Sequence, residues 1–168
     1  MERKIVADHM TITYKGLFSV TELYRLIDFW YMEKGYTKHE LRSEEQVNPD
    51  GKNIYLNKEP YKKISDYLKY IIKCEIECSN VKEVEVERDG KKLRLNQGEC
   101  NVIITGYLVT DYEQKWEKNP LFYFIRGVID KYVWRNHMYK GESGLVDECV
   151  HLHSQVKAFL NLYRYQDG

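Results

Sequence analysis

No window of 18 consecutive apolar residues occurs in the chain, so no segment of it has the length and character of a membrane-spanning helix. The opening stretch, MERKIVADHMTITYKG, interleaves charges with apolar residues and never reaches seven of the latter in a row, so no signal peptide is expected. Net charge is missing as well. The 26 Lys and Arg offset 26 Asp and Glu, leaving no overall field to draw the chain to a polyanion or an anionic membrane, and any such contact requires a local patch. Cysteine is scarce: Cys74, Cys78, Cys100 and Cys149 are too few and too irregularly spaced for a secreted disulfide scaffold, so reduced thiols and a cytoplasmic setting are expected. Cys74 and Cys78 fall in a strand pattern that sets them about 13 Å apart on one face, too far to pair or to share a zinc ion. Repeats, low-complexity segments and linkers are all lacking, so residues 1–168 read as one domain, long enough to bury a core unaided.

The residue in excess is tyrosine, 15 against 5 Phe and 3 Trp. A phenol needs a wet or hydrogen-bonded tip, so many of these rings are expected at boundaries, lining a cavity or a partner surface. Residues 9–15, HMTITYK, alternate and carry β-formers, which predicts a first strand. Ser19, with Glu22 three residues on, forms a capping box. Val20, Leu23, Tyr24, Ile27 and Tyr31 follow at helical spacing, and Gly35 ends the helix. Asn48-Pro49-Asp50-Gly51 suits a turn between antiparallel strands. Residues 59–67, EPYKKISDY, read as a short helix or an irregular link. From Tyr67 the period becomes two: Tyr70, Ile72, Cys74, Ile76 and Cys78 share one face, while Lys69, Ile71, Lys73, Glu75 and Glu77 share the other.

Asp89-Gly90 is the preferred two-residue hairpin turn. Folding its flanks together sets Glu87 opposite Lys92 and Glu85 opposite Arg94 on one face, with Val86 opposite Leu93 and Val84 opposite Leu95 on the other. Residues 101–112, NVIITGYLVTDY, form a strand apolar on both faces. Gly106 marks a bulge, a bend or a close backbone approach there, and the pattern suits a central position in the sheet. Asn119-Pro120 starts a helix over about residues 120–138 whose apolar surface (Leu121, Phe124, Ile125, Val128, Ile129, Tyr132, Val133) predicts cover on both sides. Leu145, Cys149, Leu152, Val156, Phe159 and Tyr163 then form one apolar seam on a long C-terminal helix, suited to a sheet or to an identical helix.

His151 and His153 stand two residues apart, which on a helix points them roughly 200° from each other, so they do not share a metal ion. His9, His39 and His137 are scattered, and HExxH, CxxC, GxSxG, Walker and GxGxxG patterns are all lacking, so no catalytic residue, metal or cofactor is expected. Asp111, at the end of a buried strand near Tyr107 and Tyr112, is the one carboxylate placed where burial could make a general base, although such positions usually form turns. Lys131, Tyr132, Trp134, Arg135, His137, Tyr139 and Lys140 mix rings that can stack on bases with cations that can hold phosphates.

The order of elements, strand, capped helix, a run of antiparallel strands and a long amphipathic C-terminal helix, resembles the helix-grip fold of the START and polyketide-cyclase-like superfamily. The expected architecture is α+β: a curved antiparallel sheet of about six or seven strands, an N-terminal amphipathic helix, and a long C-terminal helix packed on the sheet. The resemblance implies a cavity between sheet and final helix, faced by Leu152, Val156, Phe159 and Tyr163 with Tyr107, Tyr70 and Ile72. The expected function is that of a non-enzymatic binding protein taking a small hydrophobic ligand or a partner segment. The alternatives are an RNA- or ribosome-associated factor using the aromatic and basic residues at 131–140, and a homodimer joined through the C-terminal seam.

Overall fold

The computed structural model describes residues 1–110, 112–113, 120–121, 124–125, 128 and 134–166. Among these residues the chain runs β1 (Glu2–Phe18), α1 (Val20–Glu33), β2 (Glu40–Asn48), β3 (Gly51–Lys58), β4 (Tyr61–Lys63), β5 (Leu68–Arg88), β6 (Lys91–Thr110) and α2 (Trp134–Gln166). The architecture is α+β: a curved, unclosed antiparallel sheet of six strands carries two helices, with the C-terminal one packed on it. The strand order is β1-β6-β5-β3-β2, and β4 pairs with the start of β5 beside β3.

Local chemistry explains most boundaries. The Ser19 side chain accepts from the Glu22 amide at 3.2 Å, which caps α1. The other half of the capping box does not form, because the Glu22 carboxylate pairs with Arg25 at 2.7 Å instead. Asp89 and Gly90 both adopt positive φ, 51° and 74°, the turn that matches strand twist. The hairpin register is the one its charges dictate, with Glu87 opposite Lys92, Glu85 opposite Arg94, Val86 opposite Leu93 and Val84 opposite Leu95. Asn48 pairs with Gly51 across the β2–β3 turn.

Three elements differ from expectation. The first strand covers 17 residues rather than seven, since pairing with β6 carries the charged Glu2–Lys4 stretch into the sheet across irregularities between Ile5 and Met10. The segment expected as a short helix or link contains β4, a three-residue strand whose Lys-rich sequence hides its period. Of the helix expected over residues 120–138, every described residue (120–121, 124–125, 128 and 134–138) is helical, the last five as the start of α2, and the others lie outside the described residues; what differs is its cover. Leu121, Phe124, Ile125 and Val128 are helical but 67%, 74%, 37% and 51% exposed, against the expectation of cover on both sides. α1 and α2 occupy the apolar face of the sheet.

Both helices lie on one face of the sheet. Tyr70, Ile72, Cys74, Ile76 and Cys78 of β5 and Cys100, Val102, Ile104 and Leu108 of β6 join one buried cluster with Leu23, Ile27 and Tyr31 of α1 and Leu145, Cys149, Leu152, Val156 and Leu160 of α2. The seam of α2 is therefore covered by the sheet of its own chain, not held out for an identical helix. Gly106 is what lets α2 so close: a Cβ there would sit 2.7 Å from the Cys149 sulfur and 3.3 Å from the Ala7 Cβ. The close approach expected at this glycine is thus made by a helix. Among the described residues no helix is long and apolar enough to cross a membrane.

Candidate functional site

Polar side chains gather first where α1 meets α2. The Trp30 indole donates to His151 Nδ1 at 2.7 Å, Lys62 Nζ donates to Glu148 Oε1 at 2.5 Å and to the Lys34 carbonyl at 3.1 Å, and the Tyr36 hydroxyl donates to Glu148 Oε2. Trp30 and Tyr36 stack with ring centres 5.9 Å apart. Burial, then the bond to Glu148, holds the Tyr36 phenol well above its ordinary range. Both oxygens of Glu148 are engaged and each donor has an acceptor, so this junction braces the two helices and β4 rather than presenting a free reacting group. His153, on the opposite side of α2 from that junction, lies with Nε2 3.5 Å from the Thr11 carbonyl, so the two histidines serve different elements. Among the described residues no three His, Cys, Asp or Glu gather closely enough to hold a metal ion.

The seven residues placed around a cavity by the sequence are split by the structure. Leu152, Val156, Ile72 and Tyr70 are buried in the core cluster, the Tyr70 hydroxyl donating to the Gly141 carbonyl at 2.7 Å. Phe159 and Tyr163 are half-buried at its margin as an edge-to-face pair with centres 5.2 Å apart. Tyr107 lies on the other face of the sheet, because its neighbour Gly106 is the residue turned toward α2, and the Arg3 guanidinium covers its ring at 3.8 Å.

Open space lies instead along the free edge of β1. A cleft of about 190 Å³ is lined by Thr11, Ile12, Thr13 and Tyr14 of β1 and by His153, Lys157, Leu160, Asn161 and Arg164 of α2. The α2 residues recur at helical spacing, so one stripe of that helix forms the wall. Among the described residues β1 pairs only with β6, and the carbonyl of Thr11 that faces His153 points away from β6, as must the backbone groups of Thr13 two residues on. The floor is apolar, with Ile12, Tyr14 and Leu160 buried, while Lys157 and Arg164 stand exposed at the rim and no carboxylate is among the described lining residues. None of the seven residues expected around a cavity lines it. Comparison with protein-family models, with curated proteins and with solved structures finds no match. The chemistry of this cleft is therefore read from its own residues.

Of the basic and aromatic group at 131–140, Lys131 and Tyr132 and the side chains of Trp134 and His137 lie outside the described residues, as does Asp111; Arg135, Tyr139 and Lys140 are exposed on the first turns of α2. All four cysteines are free and buried. Cys78 and Cys100, however, stand directly opposite each other on β5 and β6 with sulfurs 3.4 Å apart, a pairing the spacing did not reveal.

Burial pushes the Cys74 and Cys149 thiols up from about 9 to about 12. A thiol whose pKa is raised on folding contributes stability that is whole below its unfolded value and is lost as pH climbs through its folded value. Melting temperature is therefore expected to fall progressively between about pH 9 and 12, more steeply than in a Cys74→Ala or Cys149→Ala variant. Ellman's reagent at neutral pH should find no reactive thiol until the chain unfolds. Rapid labelling of the native protein would contradict this burial.

Proposed function

We propose that the chain is a non-enzymatic binding protein that holds a small amphipathic anion, or the anionic end of a partner segment, between the edge of β1 and α2. One observation carries this reading: the cleft joins an apolar floor to two cations and a histidine, with no carboxylate among the described residues that line it. Its volume of about 190 Å³ falls below the roughly 300–1,000 Å³ of ordinary drug-sized pockets, which favours a short acyl or aromatic acid over a sterol or long-chain lipid. The outward backbone groups of Thr11 and Thr13 supply further hydrogen bonds of the kind an added strand uses. We also propose the helix-grip kinship, supported by the pairing of the first strand with the last and by the final helix lying against the same sheet face as α1. On that reading the ligand occupies the edge of the layer between sheet and helix rather than its filled centre.

Calorimetric titration with straight-chain carboxylates from butanoate to dodecanoate tests the proposal. Affinity should rise with chain length while the cleft can bury added methylenes, at about 0.8 kcal/mol each, and then level off. Lys157→Glu with Arg164→Glu should weaken binding at least about tenfold, since each opposed charge near the head group costs on the order of 1 kcal/mol in a solvated setting. Absence of binding across the series, or binding that survives the double substitution, would overturn it.

A further inference from the structure

The face of the sheet turned away from the helices carries two adjacent rows defined by strand register. In one, Arg3 of β1, Val109 of β6, Lys69 of β5 and Lys63 of β4 stand side by side across four strands. In the next, two residues along, Ile5, Tyr107, Ile71 and Tyr61 do the same. With strands about 4.8 Å apart, the three cations stand roughly 10 and 5 Å from one another along their row. Their heads lie over rings: Arg3 over Tyr107 at 3.8 Å, Lys69 over Tyr61 and Tyr112 at 5.3 Å each, and Lys63 over Tyr112 at 5.5 Å. The Tyr112 hydroxyl donates to the Ser65 carbonyl at 2.6 Å, which anchors that ring beside the two lysines.

This arrangement works against folding. Lys63 and Lys69 are directly opposite on neighbouring strands, where like charges destabilise a sheet. Arg3 pairs with Glu59 at 3.1 Å. Burial, then the charges of Lys63 and Arg3, hold the Lys69 ammonium below its ordinary range. Three cations thus share one stretch of sheet beside aromatic rings, two of them directly opposed, and local rules are most often broken in this way at functional sites.

We infer that this outer face binds single-stranded nucleic acid, with phosphates on the row of Arg3, Lys69 and Lys63 and bases stacked on the row of Tyr107 and Tyr61. Cations beside flat rings on a sheet are what such strands require. The Arg3 guanidinium lying on Tyr107 offers a further planar surface, and its side chain is 37% exposed. An anionic membrane is the less favoured partner, because the two rows offer one exposed large apolar side chain for insertion, Ile5 at 48%.

The test is fluorescence anisotropy with a labelled ten-nucleotide oligouridine over a salt series, with vesicles of phosphatidylserine in parallel. Three phosphate contacts should give a slope of log affinity against log salt of about −2, dropping to about −0.7 in Lys63→Gln with Lys69→Gln. Tyr61→Leu should weaken binding about five- to hundredfold with the slope unchanged. The double lysine variant should melt no lower than the wild type, since it removes a like-charge pair; cations serving only to brace the tyrosines would instead lower the melting temperature with no oligonucleotide binding to lose. Failure of the wild type to bind at low salt, affinity indifferent to the lysines, or binding confined to the vesicles would each overturn the inference.

Discussion

Leu152→Ala is expected to lower the free energy of unfolding by about 2–5 kcal/mol in chemical denaturation, the range for emptying a packed apolar position. Leu152 is fully buried at the middle of α2, in one cluster with Tyr70 and Ile72 of β5 and Val156 one turn on. The surrounding sheet strands are long and pinned by pairing on both sides of β5 and β6, so the site has little freedom to collapse around the loss. The size of the effect decides between two pictures of this protein. A residue lining an existing cavity would lose few contacts on truncation, the cost would stay below about 1 kcal/mol, and the enlarged space would take bulkier apolar ligands. A cost in the upper range, with binding of short carboxylates unchanged, is what a filled centre and an edge site require.

Gly106→Ala is expected to cost about 1–3 kcal/mol through overpacking, opposite in sign to what the substitution does at a free strand position. Alanine restricts the unfolded chain more than glycine and packs better in a strand, so in open space it would stabilise. Here the added methyl would meet the Cys149 sulfur at 2.7 Å and the Ala7 methyl at 3.3 Å, both held in a buried sheet-to-helix contact. The sulfur is the nearer obstacle. Cys149→Ala in the same chain should therefore recover part of the loss, a coupling that a double-mutant cycle measures directly. Strictly additive effects would mean that Gly106 is kept for a reason other than the approach of α2.

The parts of the fold legible in the sequence are those where two independent signals agree. The hairpin at Asp89-Gly90 could be registered residue by residue because charges matched on one face and apolar residues on the other. Carrying that register onward would set Cys78 opposite Asn101. An irregularity between Ser79 and Lys82, with Asn80 at φ 54°, shifts the pairing by one and brings Cys78 opposite Cys100. A bulge of this kind leaves little trace in hydrophobic period. Tyr107 was misplaced for a related reason: periodicity assigns a strand apolar on both faces to neither, and only the contact of Gly106 with α2 tells which way its neighbour turns. β4 was hidden because three residues show no period, and its lysines point to opposite faces, Lys63 to the cation row and Lys62 to Glu148 of α2.

The candidate site was less legible than the fold. In the sequence His153 stands out only for its spacing from His151, and Lys157, Asn161 and Arg164 fall outside the apolar seam. What joins them into one wall is the free edge of β1, and that edge follows from strand order, which rests on long-range pairing rather than on any local signal. The rows of the outer face have the same origin, since Arg3 and Lys63 meet across four strands only in the folded sheet.

Amide-resolved NMR of the wild-type protein during titration with hexanoate tests the central claim most directly, because it reports where the ligand sits as well as whether it binds. The account expects shifts confined to Thr11–Tyr14 and to the His153–Arg164 stripe of α2, absent from the Lys157→Glu, Arg164→Glu variant. Shifts centred on Tyr70, Ile72, Leu152 and Val156 would place the ligand inside the layer between sheet and helix and contradict it, as would a spectrum that hexanoate leaves unmoved.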